Sequence, residues 1–289
     1  MTNIPCCDRT FLLRVTPTNI YTSYLRWLNH LGERLGYSAV IRLWQDTAHG
    51  YQSPYLVSIL SSGWESEASD AGVSLQELIN ENLTSLPTEI SLAAIKQLIL
   101  NSPPIAILQE KYAGRTIIKE TSAYNALYLR FDFLAVLTEA LIRRYGKQGE
   151  LVVYDILVEE RLSASKRQTG TVEEFIESMV AQPEQPNLFT AGIESELIHL
   201  TQNEVELHIH QCEWARYFKD HHPEVGYLMA CSTDEVAYKA FNNKLRMQRT
   251  ETLMEGGSKC DFRISSIPHA GNEEDTILHP EGEDPRKIS

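Results

Sequence analysis

The 289-residue chain has no long apolar run. Its longest near-apolar stretch, Phe133 to Ile142, is interrupted by Thr138 and Glu139. That is about half of the ~20 residues a membrane-spanning helix needs, so no span is expected. The chain also has no basic patch. Its 26 basic residues are outnumbered by 39 acidic ones, for a formal net charge of −13. The densest basic runs are Arg143-Arg144 and Lys244 to Arg249. A charge of this sign is repelled by phosphate backbones and by anionic lipid, which argues against nucleic acid and membrane as partners. Met1 to Val15 does not pair a basic segment with an apolar one, so no targeting segment is expected and a cytoplasmic protein is. Cysteine is scarce and odd in number: Cys6, Cys7, Cys212, Cys231 and Cys260. With no targeting segment expected, that count argues against a disulfide framework.

Hydrophobic periodicity is plentiful, at 43% apolar residues. Thr18 to Gly36 places Ile20, Tyr24, Trp27, Leu28, Leu31 and Leu35 at helical spacing, with Gly36 as a C-terminal stop. Ser74 opens a second helix through Leu83. Thr88 to Asn101 forms a third, closed by Pro103-Pro104. Tyr37 to Trp44 is ambiguous between helix and strand, and the polar stretch Ser61 to Gly72 reads as a loop. The longest helix is predicted over Ser122 to Tyr145, ending in Arg143-Arg144-Tyr145-Gly146. Leu151 to Glu160 packs as another, and Thr171 to Glu174 is a capping box.

The period then changes from helix to strand. Glu204 to Cys212 alternates, with Val205, Leu207 and Ile209 apolar and Glu206, His208 and His210 between them. Leu197 to Leu200 precedes it across a Thr201 to Asn203 turn, giving a hairpin. Glu213 to Lys219 and Ser232 to Phe241 read as helices, the second opened by a capping box at Ser232 to Glu235. Lys244 to Met254 and Cys260 to Ile264 flank Glu255 to Ser258 as a second hairpin. The expected class is α+β: a helical N-terminal region over 1–118, then a domain over 119–265 with a small antiparallel sheet of two hairpins packed on helices. The acidic residues 266–289 are expected to be a disordered tail.

Residues 206 to 263 hold the densest reactive side chains: Glu206, His208, His210, Cys212, Cys231, Asp234, Arg246, Arg249, Cys260, Asp261 and Arg263. Two chemistries fit them. One is thiol catalysis, with Cys231 just before the Ser232 cap, where a helix N-terminus lowers a thiol pKa. The other is a tetrahedral zinc site from Cys212, Cys231, Cys260 and one histidine. Against both stands a plain structural reading, in which buried cysteines are small core residues and His208 and His210 lie on the wet face of a sheet.

The run Cys212-x-Trp214, Pro223-Glu224, Cys231-x-x-Asp234, Arg249-Thr-Glu-Thr252-Leu253-Met254-Glu-Gly256 and Cys260-Asp261-Phe262-Arg263 resembles the L-2-amino-thiazoline-4-carboxylic acid hydrolase family. Tyr145-Gly146 before a helix is similar to that family's middle. The resemblance spans about Phe131 to Ile264, and roughly the first hundred residues fall outside it. The C-terminal hairpin also faintly resembles vinyl-4-reductase-type small-molecule-binding domains. The family resemblance implies a hydrolase that opens a cyclic amidine: water or a thiolate adds at the carbon between ring nitrogen and sulfur, and the intermediate collapses to N-carbamoyl-cysteine. Carried onto this chain, it makes Cys231 the nucleophile, Asp234 a proton carrier or orienter and His210 the general base. Arg249 would clamp the substrate carboxylate, with Cys212, Cys260 and His208 lining the substrate. No cofactor is required, and zinc is the metal the cysteines would take. The expected partner is a small-molecule substrate, in a biosynthetic setting and with homo-oligomers allowed. Two other readings stay open: a non-catalytic ligand-binding or sensor domain, and a zinc-stabilised structural domain.

Overall fold

The computed structural model describes residues 9–266, except 62, 68–73, 84–85, 89, 113–114, 166–170 and 176–187. The expected tail lies outside the described residues apart from Ser266. The chain forms two compact units, Thr10–Val153 and Tyr154–Ser289, the second including Met1–Arg9. The boundary expected at 118/119 falls inside a strand of the first unit. The class is α+β, as the two periodicities imply.

The first unit is helical with a three-stranded antiparallel sheet. Strand β1 (Thr10–Val15) and strand β2 (Glu65–Glu67) pair with the two sides of β3 (Thr116–Ser122). The region is mostly helical as expected; the three strands are additional to that reading, and the predicted Ser61 to Gly72 loop contains β2. In β1, Phe11, Leu13 and Val15 point inward, but the outward Leu12 is 70% exposed. An apolar residue at an outward position blurs the two-residue period. Helices α1 (Pro17–Leu35) and α2 (Tyr37–Gly50) meet at Gly36, whose φ of 86° suits glycine. The ambiguous Tyr37 to Trp44 stretch is therefore helix. After α3 (Pro54–Ser61), α4 (Leu75–Asn82) starts in the predicted capping box: the Glu77 amide donates to Ser74 Oγ and the Ser74 amide donates back to Glu77 Oε2. Helices α5 (Leu92–Leu100) and α6 (Ile105–Tyr112) lead into β3 and then α7 (Ala123–Tyr145), capped by Ser122 Oγ on the Asn125 amide. The core is aromatic. Tyr24, Trp44 and Phe133 are mutually 5.6–5.7 Å apart, and Trp44 Nε1 donates to the buried Ser102 Oγ at 2.7 Å.

Helix α8 (Lys147–Ser165) follows α7 after Gly146 and continues into the second unit. That unit holds α9 (Leu188–Gly192) and a four-stranded antiparallel sheet of β4 (Ile193–Leu200), β5 (Glu204–Cys212), β6 (Leu245–Gln248) and β7 (Cys260–Ser266), in the order β4-β5-β7-β6. The two predicted hairpins are thus joined edge to edge by β5 and β7. Val205, Leu207, Ile209, Cys260, Phe262 and Ile264 form the inner face of that sheet. Tyr238 and Phe241 of α11 (Asp234–Phe241) pack against it, with Phe175 5.4 and 5.1 Å from their rings. Between β5 and α11 lie α10 (Glu213–His221) and a π-helical turn over Tyr227–Cys231.

Two local expectations are corrected. The predicted strand Lys244 to Met254 pairs only over Leu245–Gln248, and residues 249–259 form a loop. Asp261 is the reason: its carboxylate accepts from the Thr250 amide (2.9 Å), the Glu251 amide (2.7 Å) and the Thr250 hydroxyl, which diverts the backbone from the ladder. The capping box at Ser232 does not form. Ser232 Oγ donates to the Leu228 carbonyl, and α11 starts after Thr233, which makes no side-chain cap. The π-helical turn runs into this segment and leaves Ser232 in a right-handed helical conformation, unsuited to an N-cap.

Candidate active site

Arg249 is the centre of the predicted constellation. It leaves β6 where the ladder ends, and its buried guanidinium lies 5.2 Å above the Phe262 ring and 5.7 Å above the Tyr227 ring. Nη1 donates to Asp234 Oδ2 at 2.7 Å. Nη2 reaches the Tyr227 hydroxyl at 3.3 Å and the Cys231 carbonyl at 3.4 Å. One cation therefore ties together the first turn of α11, both ends of the π-helical turn and the inner face of β7. Such π-helical turns are rare and frequently lie at functional sites. Its tight contact with the loop depends on Gly226, where a Cβ would stand 2.8 Å from Met254 Sδ and 2.9 Å from Phe218 Cβ.

The loop behind Arg249 is built from its own side chains. Thr252 Oγ1 accepts from the Glu255 amide, and the Gly257 amide donates to the Thr252 carbonyl at 2.8 Å. Gly256 takes φ 92°. The Leu253 amide donates to Cys260 Sγ at 3.2 Å. The residues that carried the family resemblance from Arg249 to Arg263 thus hold a loop that seats one guanidinium.

The electrostatics follow from burial and from this cation. Burial pushes the Asp234 carboxyl up from its ordinary value, and Arg249 and Arg161 pull the other way. Arg161 Nε also donates to Thr233 Oγ1 at 3.3 Å. Burial opposes the Arg249 charge, but Asp234, Cys231 and Tyr227 together outweigh it and the guanidinium stays protonated. Burial raises the Tyr227 hydroxyl pKa, against which Arg249 acts. The thiol expected to be acidic is not. Cys231 lies at the C-terminal end of the π-helical turn, and burial followed by the Asp234 charge raises its pKa well above the ordinary thiol value. Cys212 is pushed up to about 12 by burial, and Cys260 is raised for the same reason. The Asp234 charge disfavours ionisation of all three thiols, and Cys260 does the same to Cys212 and Cys231.

Of the predicted site residues, the structure brings together Cys231, Asp234, Arg249, Cys212 and Cys260. It does not bring His210 or His208. Successive side chains of β5 point to opposite faces, and Ile209 faces the core. His210 is exposed and pairs with Glu196 at 3.2 Å, and His208 contacts Glu206 at 3.3 Å and Lys259 at 3.1 Å. These histidines occupy the outer face, so the general-base role for His210 and the lining role for His208 are withdrawn. Among the described residues no group of three or more His, Cys, Asp or Glu side chains converges on a metal position. Arg249 is also less open to a substrate carboxylate than expected, because Asp234, Tyr227 and Cys231 already engage both terminal nitrogens. Sequence reasoning missed Tyr227 and Arg161. Tyr227 lay four residues before Cys231 in the sequence, but only a π-helical turn, which has no sequence signature, joins both to Arg249.

Residues 127–264 match the L-2-amino-thiazoline-4-carboxylic acid hydrolase family. The chain therefore carries a hydrolase-like domain, and every residue of the Arg249 cluster lies within it. The matched stretch starts in α7, so it takes in elements of both compact units. No curated protein matches the chain. Among solved structures, the Fe(II) unliganded H-NOX protein from K. algicida aligns at 11% identity, over 90% of this chain and 100% of that one, with a TM-score of 0.25. A mutant of the same protein aligns at 10% identity, over 86% and 97%, with a TM-score of 0.23. At such scores neither supports an argument about fold or ligand. No helix among the described residues is long and apolar enough to cross a membrane.

Proposed function

We propose that the protein hydrolyses a small, amino-acid-derived heterocycle of the cyclic amidine or thiazoline type, with Cys231 as nucleophile. The observation that carries this reading is the ion pair of Arg249 and Asp234 held against Cys231, inside the region that matches the hydrolase family. Cys231 and Asp234 are both partly exposed at the rim of this cluster, while Arg249 is buried behind them.

The Cys231 thiol rests protonated, so attack requires a base. Asp234 Oδ2 is occupied by Arg249, and among the described residues Oδ1 has no partner. Oδ1 takes the thiol proton as Sγ bonds to the carbon between ring nitrogen and sulfur. The ring carbon–sulfur bond breaks and its sulfur gains a proton. Water then adds to the same carbon, the bond to Cys231 breaks, and Asp234 returns the proton to the thiol. The sum is substrate plus water giving one ring-opened urea, which for L-2-amino-thiazoline-4-carboxylate is N-carbamoyl-cysteine. Arg249 keeps Asp234 oriented throughout and balances its charge before the thiol proton arrives.

Incubation of the protein with L-2-amino-thiazoline-4-carboxylate, followed by mass spectrometry and thiol release, tests this. N-Carbamoyl-cysteine from the wild type and none from Cys231→Ala, with an unchanged circular dichroism spectrum, is expected. Equal turnover by Cys231→Ala would overturn the nucleophile. A second reading is favoured by the protonated thiols and the internally satisfied Arg249: a domain that binds a small molecule without converting it. It requires saturable binding of the same compound with no product formed.

A further inference from the structure

Ring opening at a thiazoline needs an acid for the departing sulfur. With His208 and His210 on the outer face, neither histidine can supply it. Arg249 stays protonated, and Asp234 is the acceptor of the thiol proton. One more hydroxyl meets the same guanidinium. Tyr227 opens the π-helical turn that Cys231 closes, is partly exposed at the same rim, and its oxygen accepts from the Nη2 atom that also reaches the Cys231 carbonyl. With its oxygen accepting from Arg249, the Tyr227 O–H proton is left to point elsewhere. Among the described residues it has no acceptor.

We propose that Tyr227 is the general acid of the ring opening, giving its proton to the leaving ring sulfur while Arg249 Nη2 holds the resulting phenolate. This rests on the hydrolase reading above and assigns the step that reading leaves open. The proton balance closes. The ring carbon–sulfur bond breaks with its electron pair on sulfur, and the Tyr227 O–H proton goes to that sulfur. The water that later adds to the carbon returns a proton to the Tyr227 oxygen. Asp234 and Cys231 exchange a separate proton between themselves, so both side chains end the cycle as they began. The assignment gives the Arg249 cluster two proton carriers on one cation: a carboxylate on Nη1 for the nucleophile and a phenol on Nη2 for the leaving group. The cation–π contact of Arg249 with the Tyr227 ring, at 5.7 Å, keeps the phenol in place without using its hydroxyl.

Tyr227→Phe keeps that ring and removes only the hydroxyl. The probes are L-2-amino-thiazoline-4-carboxylate and its selenium analogue, whose selenolate leaves without needing a proton. Loss of a general acid costs about 10²-fold or more in kcat on the thiazoline. The same variant should stay within about threefold of wild type on the selenium compound, with KM for both nearly unchanged, since a group that acts only in the transition state leaves KM alone. Equal losses on both compounds would show a structural role and overturn the assignment, as would full activity on the thiazoline. A wild-type protein that turns over neither compound would overturn the hydrolase reading itself, and the assignment with it. The comparison of wild type with variant therefore separates the two failures.

Discussion

The two faces of the sheet formed by β5 and β7 carry similar side chains in different states. On the inner face, Cys260 and Phe262 join Arg249, Asp234, Cys231 and Tyr227 in a cluster where burial raises the thiol, carboxyl and phenol pKa values. On the outer face, His208 and His210 stand beside Glu196, Glu206 and Lys259 in contact with water. Cys212 also packs against the inner cluster, yet in sequence it follows His208 and His210 by only four and two positions and shares their strand parity. A β-bulge at His210, between the Ser195–Ile209 and Glu194–Gln211 pairs, turns Cys212 to the inner face and so separates what the sequence places together. Reactive residue types near one another in a strand are no evidence of a shared site until the faces are assigned.

This contrast can be broken experimentally, beginning with the largest effect. Removing one member of the inner ion pair leaves the other charge buried alone. Asp234→Ala and Arg249→Ala should each cost about 3–5 kcal/mol in denaturant unfolding, and replacing both with apolar residues should cost less than either alone. Costs below about 1 kcal/mol would show that the pair is as wet as the outer face. The next effect concerns pH. Cys212 moves from its ordinary 9.0 to about 12 in the folded state, so between these values the unfolded chain releases a proton that the folded chain keeps. Stability should therefore fall as pH rises from about 9 to 12, by up to about 1.4 kcal/mol per unit for this group. Cys212→Ala should flatten that slope, and an unchanged slope in urea melts across this range would contradict the buried thiol.

A smaller loss is expected at the loop. Asp261→Asn keeps an acceptor for the two amides but takes away the oxygen that receives the Thr250 hydroxyl. It should cost about 1–2 kcal/mol and speed amide hydrogen exchange at Thr250 and Glu251; protection equal to wild type would remove Asp261 from its organising role. The smallest effect belongs outside. His210→Gln removes the contact with Glu196, an exposed pair, and should change stability by less than about 1 kcal/mol at any salt concentration. A larger change would mean that the outer face is not merely solvated.

Much of the fold was legible because its signals are local. The Ser74–Glu77 and Thr171–Glu174 boxes, the Ser122 cap and the alternation of β5 depend on residues a few positions apart, and each forms. β1 was hidden by the exposed Leu12, and β3 gains its partners from across more than a hundred residues and from β2. The failed box at Ser232 shows a local signal overridden by the π-helical turn that arrives just before it. For the site, cysteine, aspartate and arginine were legible as chemical types. That Arg249 is tied to Asp234 and Tyr227, and that the histidines face away, are tertiary facts fixed by the loop over residues 249–259 and by strand parity.

The central claim is that covalent chemistry occurs on the inner face, at Cys231. The most direct measurement is intact-protein mass spectrometry of the full chain, acid-quenched within the first turnovers of L-2-amino-thiazoline-4-carboxylate, followed by peptide mapping. The account predicts a mass gain equal to one substrate molecule, confined to the peptide that carries Cys231 and absent from Cys231→Ala. Turnover with no adduct, or an adduct on the peptide that carries His208 and His210, would contradict it.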